Sequence, residues 1–192
     1  MHVAEGVDCT AAKEVRILAA RGFLTRGLIA VHAVGPDADG VEKLRASGCA
    51  IVWCPSSNHF LFGRTAPEAL LANGMDVLLG TDSLLTGAGT LLDELRIARG
   101  GVSDERLLDA VGQLAARRLG LADPTLAAGA LADLAVFRRP VLEAELSDVA
   151  LVITAGELRV LDPDLIPVSG IHGGRLIEWN GVRRWISEEK SF

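Results

Sequence analysis

Much that would assign a function at a glance is missing from these 192 residues. Aromatic residues make up 4% of the sequence, and no basic run is interleaved with them, which removes the usual footprint of a nucleic-acid surface. The balance is acidic instead, 25 Asp and Glu against 19 Lys and Arg. The arginine pairs Arg117-Arg118, Arg138-Arg139 and Arg183-Arg184 are short and scattered, the pattern of solvated faces. Cysteine is scarce: Cys9, Cys49 and Cys54 form no C-x-x-C spacing. Three scattered thiols fit a reduced, cytoplasmic setting, with Cys49 and Cys54 packing as small apolar groups. No apolar run approaches the roughly 20 residues that span a bilayer. No signal-peptide pattern is visible, and there is no internal repeat or low-complexity segment. Neither a membrane nor a nucleic acid is expected as a partner.

What the chain does have is apolar bulk. Hydrophobic residues make up 49% of it, enough for the core of one domain, or of one domain with a small appendage. Residues 28–31 (LIAV), 49–53 (CAIVW) and 76–79 (DVLL) read as buried strands. Between and after them, residues 10–20, 37–46, 67–72 and 91–98 read as helices, stopped by Gly22, Gly48, Asn73-Gly74 and Gly100-Gly101. Pro67 suits a first helical turn. Strands that are apolar throughout, joined by short helical connections, predict parallel βα units covered on both faces. Ser103 caps a further helix to about Leu119, which Gly120 stops. Beyond about residue 125 the pattern changes to short β runs at 131–137, 149–153, 158–161 and 183–186, an all-β appendage.

The residues with chemistry follow the apolar runs. In βα folds that edge of the sheet is where loops converge on a site. His2-Val3-Ala4-Glu5 pairs an imidazole, which can present a neutral nitrogen to a metal, with a carboxylate three residues on that can shuttle a proton. His32 ends the run 28–31. Asp82, bracketed by Gly80 and Ser83, follows the run 76–79; a carboxylate there is poorly explained by packing, its ordinary reading being a helix N-cap. Cys54-Pro55-Ser56-Ser57-Asn58-His59 reads as a polar loop, in which turn chemistry accounts for Pro, Ser and Asn and His59 is either surface or pocket lining. His172, among Gly170, Gly173 and Gly174, reads as a turn residue.

His2-x-x-Glu5, Val31-His32, Cys54-Pro55-Ser56-Ser57-Asn58 and Gly80-Thr81-Asp82-Ser83, in this order and at these intervals, resemble the amidohydrolase superfamily, closest to its cytosine-deaminase-like and chlorohydrolase-like branch. Residues 129–137 (GALADLAVF) resemble the return of that family's chain into its small β-domain. The resemblance covers nearly the whole sequence. It implies an α/β fold: the C-terminal half of a (β/α)8 barrel, βα units 5–8 and the following helix, over residues 1–122, and part of a small β-sandwich domain over residues 123–192. It implies one divalent metal ion, Zn or Fe, both of which suit imidazole and carboxylate. His2 and Asp82 match its ligands, Glu5 the proton-shuttling carboxylate, and His32 the histidine that polarises substrate. Asp82 also matches the acceptor of the attacking water's proton. Asn58, His59 and Ser83 fall where substrate is bordered.

One departure accompanies the match. The family carries a His-x-His pair after its first strand, which supplies two metal ligands, and no such pair occurs here. Catalytic sites commonly use three protein ligands, so two are expected to hold a metal weakly or not at all. The expected function is hydrolysis of a C–N bond in a small molecule, deamination of a heterocyclic amine, incomplete without the missing half. A half barrel would leave strand edges and an apolar face open, which predicts a homo-oligomer or a complementing N-terminal half. The alternatives are an inactive remnant or oligomeric half-barrel module, and a cyclic-amide hydrolase; Glu5 favours the deaminase.

Overall fold

The structure, a computed structural model, describes residues 1–72 and 74–188. Asn73, read as part of a helix stop, lies outside the described residues. The chain forms two compact units, Met1–Asp123 and Pro124–Phe192.

The first unit is built on a four-stranded parallel sheet in sequential order: β1 (His2–Val3), β2 (Ile29–His32), β3 (Ala50–Trp53) and β4 (Asp76–Leu79). The register pairs His2 with Val31, Ala30 with Ile51 and Val52 with Leu78. No closed barrel is formed among the described residues. The connections are α1 (Cys9–Ala20), α2 (Ala38–Ser47), α3 (Pro55–Phe62) and α4 (Glu68–Leu71). The Asp8 carboxylate caps α1 by accepting from Thr10 N and Ala11 N, and Asp37 caps α2 through Gly40 N. Gly48, in the left-handed conformation at φ 66°, ends α2. The core joins Ala30, Ile51, Trp53 and Leu78 of the strands to Val15, Leu18 and Leu44 of the helices, all buried.

Three elements of the first unit differ from the sequence reading, and in the second unit a strand at Arg175–Trp179 was not expected. The segment expected to be a polar loop is helix α3, because Pro55 occupies its first turn, where a missing N–H costs nothing. Pro67 is the N-cap of a single-turn α4 rather than its first residue. The helix expected from Ser103 to Leu119 breaks at Gly112 (φ −116°, ψ −114°) into α6 (Asp104–Val111) and α7 (Gln113–Leu119), which follow α5 (Leu91–Ala98).

At the amino-terminal edge of the sheet one side chain ties three strands together. Arg118 of α7 donates to Asp76 Oδ2 (2.7 Å), the Gly48 carbonyl (2.6 Å) and the Arg26 carbonyl (2.5 Å), at or near the starts of β4, β3 and β2. A planar guanidinium suits three acceptors set around it.

The second unit is a five-stranded antiparallel sheet in the order β5 (Leu134–Phe137), β6 (Val149–Thr154), β7 (Glu157–Leu161), β9 (Val182–Ile186), β8 (Arg175–Trp179). Hairpins turn at Ala155-Gly156 and Asn180-Gly181, with φ of 52° and 79°, and of 50° and 74°. Two positive values in succession are what two-residue hairpin loops need. A four-residue helix, α8 (Ile166–Ser169), precedes β8. Val149, Ala150, Leu161 and Trp185 are buried here, and the Trp185 Nε1–H donates to the Gly173 carbonyl at 2.7 Å.

Candidate active site

The carboxyl edge of the parallel sheet is where the backbone is strained. Ala4, His32, Ala33 and Asp82 have φ of 49°, 74°, 48° and 54°, a region that costs a side-chain-bearing residue about 1–3 kcal/mol. All four lie at or just beyond the ends of β1, β2 and β4. Local bonds hold them there. The Ala4 N–H donates to Glu14 Oε2 at 2.6 Å, the Ala4 carbonyl accepts from Val34 N (3.1 Å) and Gly35 N (2.9 Å), and Ala33 N donates to the Val3 carbonyl at 3.0 Å. Gly35 is required by this approach: a Cβ there would stand 2.1 Å from the Gly6 carbonyl oxygen.

The bends bring His2, Glu5 and His32 together, with possible ligand atoms all within 4.8 Å of one another. His2 Nδ1 lies 2.6 Å from Glu5 Oε2, and His32 Nε2 lies 3.5 Å from Glu5 Oε1. The two rings meet edge to face at a centroid distance of 4.7 Å. His32 is fully buried, and its Nε2 has no hydrogen-bond partner. Its Nδ1 lies 2.9 Å from Asn58 Oδ1. Two imidazoles and a carboxylate are the donor set of a divalent metal site, and a buried orphan nitrogen aimed into the gap is what such an ion would satisfy.

Asp82 stands on the same edge but is not one of the three. It follows β4, on the far side of β3 from β2; it is exposed, and its Oδ2 accepts from Thr86 Oγ1 at 3.4 Å. Between lies Cys54, at the end of β3. Its thiol is pushed up to about 12, first by burial and then by the negative charges of Asp82, Glu94 and Glu5. The carboxylates of three elements thus gather around that strand end.

Ser83 is exposed, and its Oγ accepts from Leu85 N at 3.1 Å. His59 is exposed on α3. Asn58, expected to border a pocket, is fully buried in α3 and faces His32. His172 is an exposed residue of the second unit. A cavity lined by Trp53, Asp76, Arg106, Leu107, Asp109 and Leu114 contains none of the site residues.

Sequence reasoning missed two participants. Glu94 of α5 is fully buried, accepts from Ser56 N (3.1 Å) and Ala88 N (3.4 Å), and bonds Ser56 Oγ, which itself accepts from Ala88 N at 3.0 Å. It therefore binds the start of α3 to the loop that carries Asp82. Glu14 is the other. Both read in sequence as polar positions of amphipathic helices, and nothing local distinguishes them.

The Amidohydrolase family model matches residues 2–177. A 5-methylthioadenosine/S-adenosylhomocysteine deaminase of Pyrococcus abyssi is 29% identical over 180 residues, 80% of this chain and 42% of the relative. An aminodeoxyfutalosine deaminase of Deinococcus radiodurans is 41% identical over 75 residues, 38% of this chain and 16% of the relative. Among solved structures, an adenosine deaminase from Xanthomonas campestris with bound zinc superposes with a TM-score of 0.66 at 23% identity, covering 83% of this chain and 44% of that one. An atrazine chlorohydrolase from Arthrobacter aurescens, in complex with zinc, does so with a TM-score of 0.63 at 24% identity, covering 82% and 42%. The chain thus spans less than half the length of these relatives.

Proposed function

Because this chain belongs to the amidohydrolase family, we propose that it carries the C-terminal half of a metal-dependent hydrolase site, that of βα units 5–8, which removes an amino group from a heterocyclic amine. One observation carries the reading. With the His32 proton on Nδ1, toward Asn58, Nε2 and Glu5 Oε1 are two acceptors facing each other across 3.5 Å. Two acceptors in contact repel unless something electropositive lies beside them: a cation, or an N–H or O–H of a substrate.

His2 and Asp82 are the proposed metal ligands. The Glu5 carboxylate, accepting from His2 Nδ1–H at 2.6 Å, leaves His2 Nε2 free to bind, the usual outer partner of a metal-bound imidazole. A divalent ion held there supplies Lewis acidity and lowers the pKa of a nearby water. Asp82 takes the proton of the attacking water. Glu5 delivers protons to the departing nitrogen of the substrate, and His32 Nε2 faces the charge that develops on the ring. The names of the Pyrococcus abyssi and Deinococcus radiodurans relatives support a purine-like amine as the substrate class.

Catalysis in this scheme needs two further imidazoles, since no His-x-His pair occurs in the sequence. A complementing N-terminal half is the proposed source. The test is ammonia release from adenosine-like, guanine-like and cytosine-like amines, with zinc, by the 192-residue chain alone and with a His-x-His-bearing half from a relative. Turnover only in the mixture is expected. Its absence from the mixture, with both halves folded and associated, overturns the reading.

A further inference from the structure

Asn58 sits where a pocket residue was expected, yet no part of it is exposed. Its amide bridges two elements. On one side Oδ1 is 2.9 Å from His32 Nδ1; on the other Nδ2 donates to Thr65 Oγ1 at 3.4 Å. That hydroxyl also accepts from the Trp53 indole N–H at 2.5 Å. An indole nitrogen can only donate, so the Thr65 oxygen uses one lone pair on Trp53, and with its second it accepts from the Asn58 amide nitrogen. The carbonyl oxygen is left for His32. A carbonyl oxygen can only accept, and a neutral imidazole carries one proton on one nitrogen. The free ring nitrogen is then Nε2, which has no partner and looks toward Glu5.

We infer that Asn58 is a positioning residue: its side-chain carbonyl, oriented by Thr65 and Trp53, keeps the proton of His32 on Nδ1, so that Nε2 presents a lone pair to Glu5 and to whatever binds beside it. The tautomer of a histidine is set by the bond its other nitrogen makes, and burial of both side chains keeps water from taking the place of that bond. The role in catalysis rests on the function proposed above; the tautomer itself does not.

The experiment reads the tautomer without turnover. Long-range 1H–15N correlation spectra of the 15N-labelled 192-residue chain, at a pH where imidazole is neutral, distinguish a protonated from a pyridine-like ring nitrogen. His32→Gln identifies the His32 signal among those of His2, His59 and His172. His32 is expected to carry its proton on Nδ1. In Asn58→Ala the signal should shift to the Nε2–H form or to an average of the two. In Asn58→Asp the Nδ1–H form should persist, with its proton resonance moved downfield by the stronger charge-assisted bond. A native His32 protonated on Nε2 overturns the inference. So does an unchanged tautomer in Asn58→Ala, or, should that variant not fold, an unmoved proton resonance in Asn58→Asp. Failure of the deaminase reading leaves these spectra as expected, and their failure leaves deamination testable by ammonia release.

Discussion

At the carboxyl edge burial and negative charge act together on one side chain, and Cys54 reports both. Its folded pKa of about 12 lies above the ordinary thiol value of 9.0. Below pH 9 the thiol is neutral in both states and titration leaves stability unaffected. Above it the unfolded chain ionises while the folded thiol does not, so stability falls by about 1.4 kcal/mol per pH unit until the folded pKa is reached. Denaturant midpoints measured from pH 8 to 11 should decline in the native chain and decline less in Cys54→Ala; parallel curves would contradict the assignment. In the folded state iodoacetamide should label exposed Cys9 and spare Cys49 and Cys54. Glu94 is the other buried group. Glu94→Ala strips the acceptor from the half-buried Ser56 N–H, and an amide left unpaired away from water costs about 1–3 kcal/mol, whereas Ala88 N–H keeps its bond to Ser56 Oγ. A lower urea midpoint and faster exchange of the Ser56 amide are expected, with a smaller effect in Glu94→Gln, which keeps one carbonyl oxygen. Equal stability of Glu94→Ala and the native chain would remove Glu94 from this role. Its importance was not legible in the sequence because its partners, Ser56 and Ala88, are backbone and hydroxyl groups that any loop contains.

Strands and helices were more legible than the bends between them. The runs LIAV, CAIVW and DVLL announce buried parallel strands through their apolarity, and Asp8, Asp37, Thr90 and Ser103 cap helices where a side-chain oxygen precedes an amphipathic stretch. Helix α3 was hidden because Pro, Ser and Asn serve equally in turns and in first helical turns. The break at Gly112 was hidden because the apolar periodicity continues through it. Strand β8 was hidden by Gly173-Gly174, whose positive φ makes room for Trp185: a Cβ on Gly174 would lie 2.3 Å from the indole. The convergence of His2, Glu5 and His32 depends on the left-handed bends at Ala4, His32 and Ala33, which no local signal announces for Ala or His. Those bends pass close at Gly35. Gly35→Ala forces its methyl against the Gly6 carbonyl, 2.1 Å from the ideal position, an overpacking that costs about 1–3 kcal/mol and separates the loops after β1 and β2. The expected outcome is a lower urea midpoint of the chain, together with loss of zinc affinity in a competition titration of the chain combined with a complementing half. A variant with native stability and native affinity would show that the close approach is not needed to assemble the three side chains.

At the scale of the whole molecule, the two compact units meet in the sequence near Asp123 and Pro124. Residues 121–129 are all exposed, and residues 121–126 carry no helix or strand, so limited proteolysis should cut there before it cuts inside either sheet; first cuts within residues 29–79 would contradict that. What the assembled molecule does with its carboxyl edge is decided by separating metal retention from proton transfer. The proposed roles predict different losses when a complementing half restores turnover. Asp82→Ala removes a proposed ligand together with the proposed base, so both zinc content and ammonia release should fall to background. Glu5→Gln keeps the shape and the acceptor oxygen of the side chain but cannot carry a proton, so ammonia release should fall by about 100-fold or more, the scale of general acid–base catalysis, while zinc content stays near native. The geometry makes the second variant the sharper one, because Glu5 touches both histidines, at 2.6 Å and 3.5 Å, and so is placed either to shuttle or to ligate. If Glu5→Gln loses zinc as fully as Asp82→Ala, the carboxylate belongs to the metal and the three-residue cluster is the binding site itself. If it keeps zinc and ordinary turnover, the proton passes elsewhere, and hydrolysis of a cyclic amide becomes the better account of this edge.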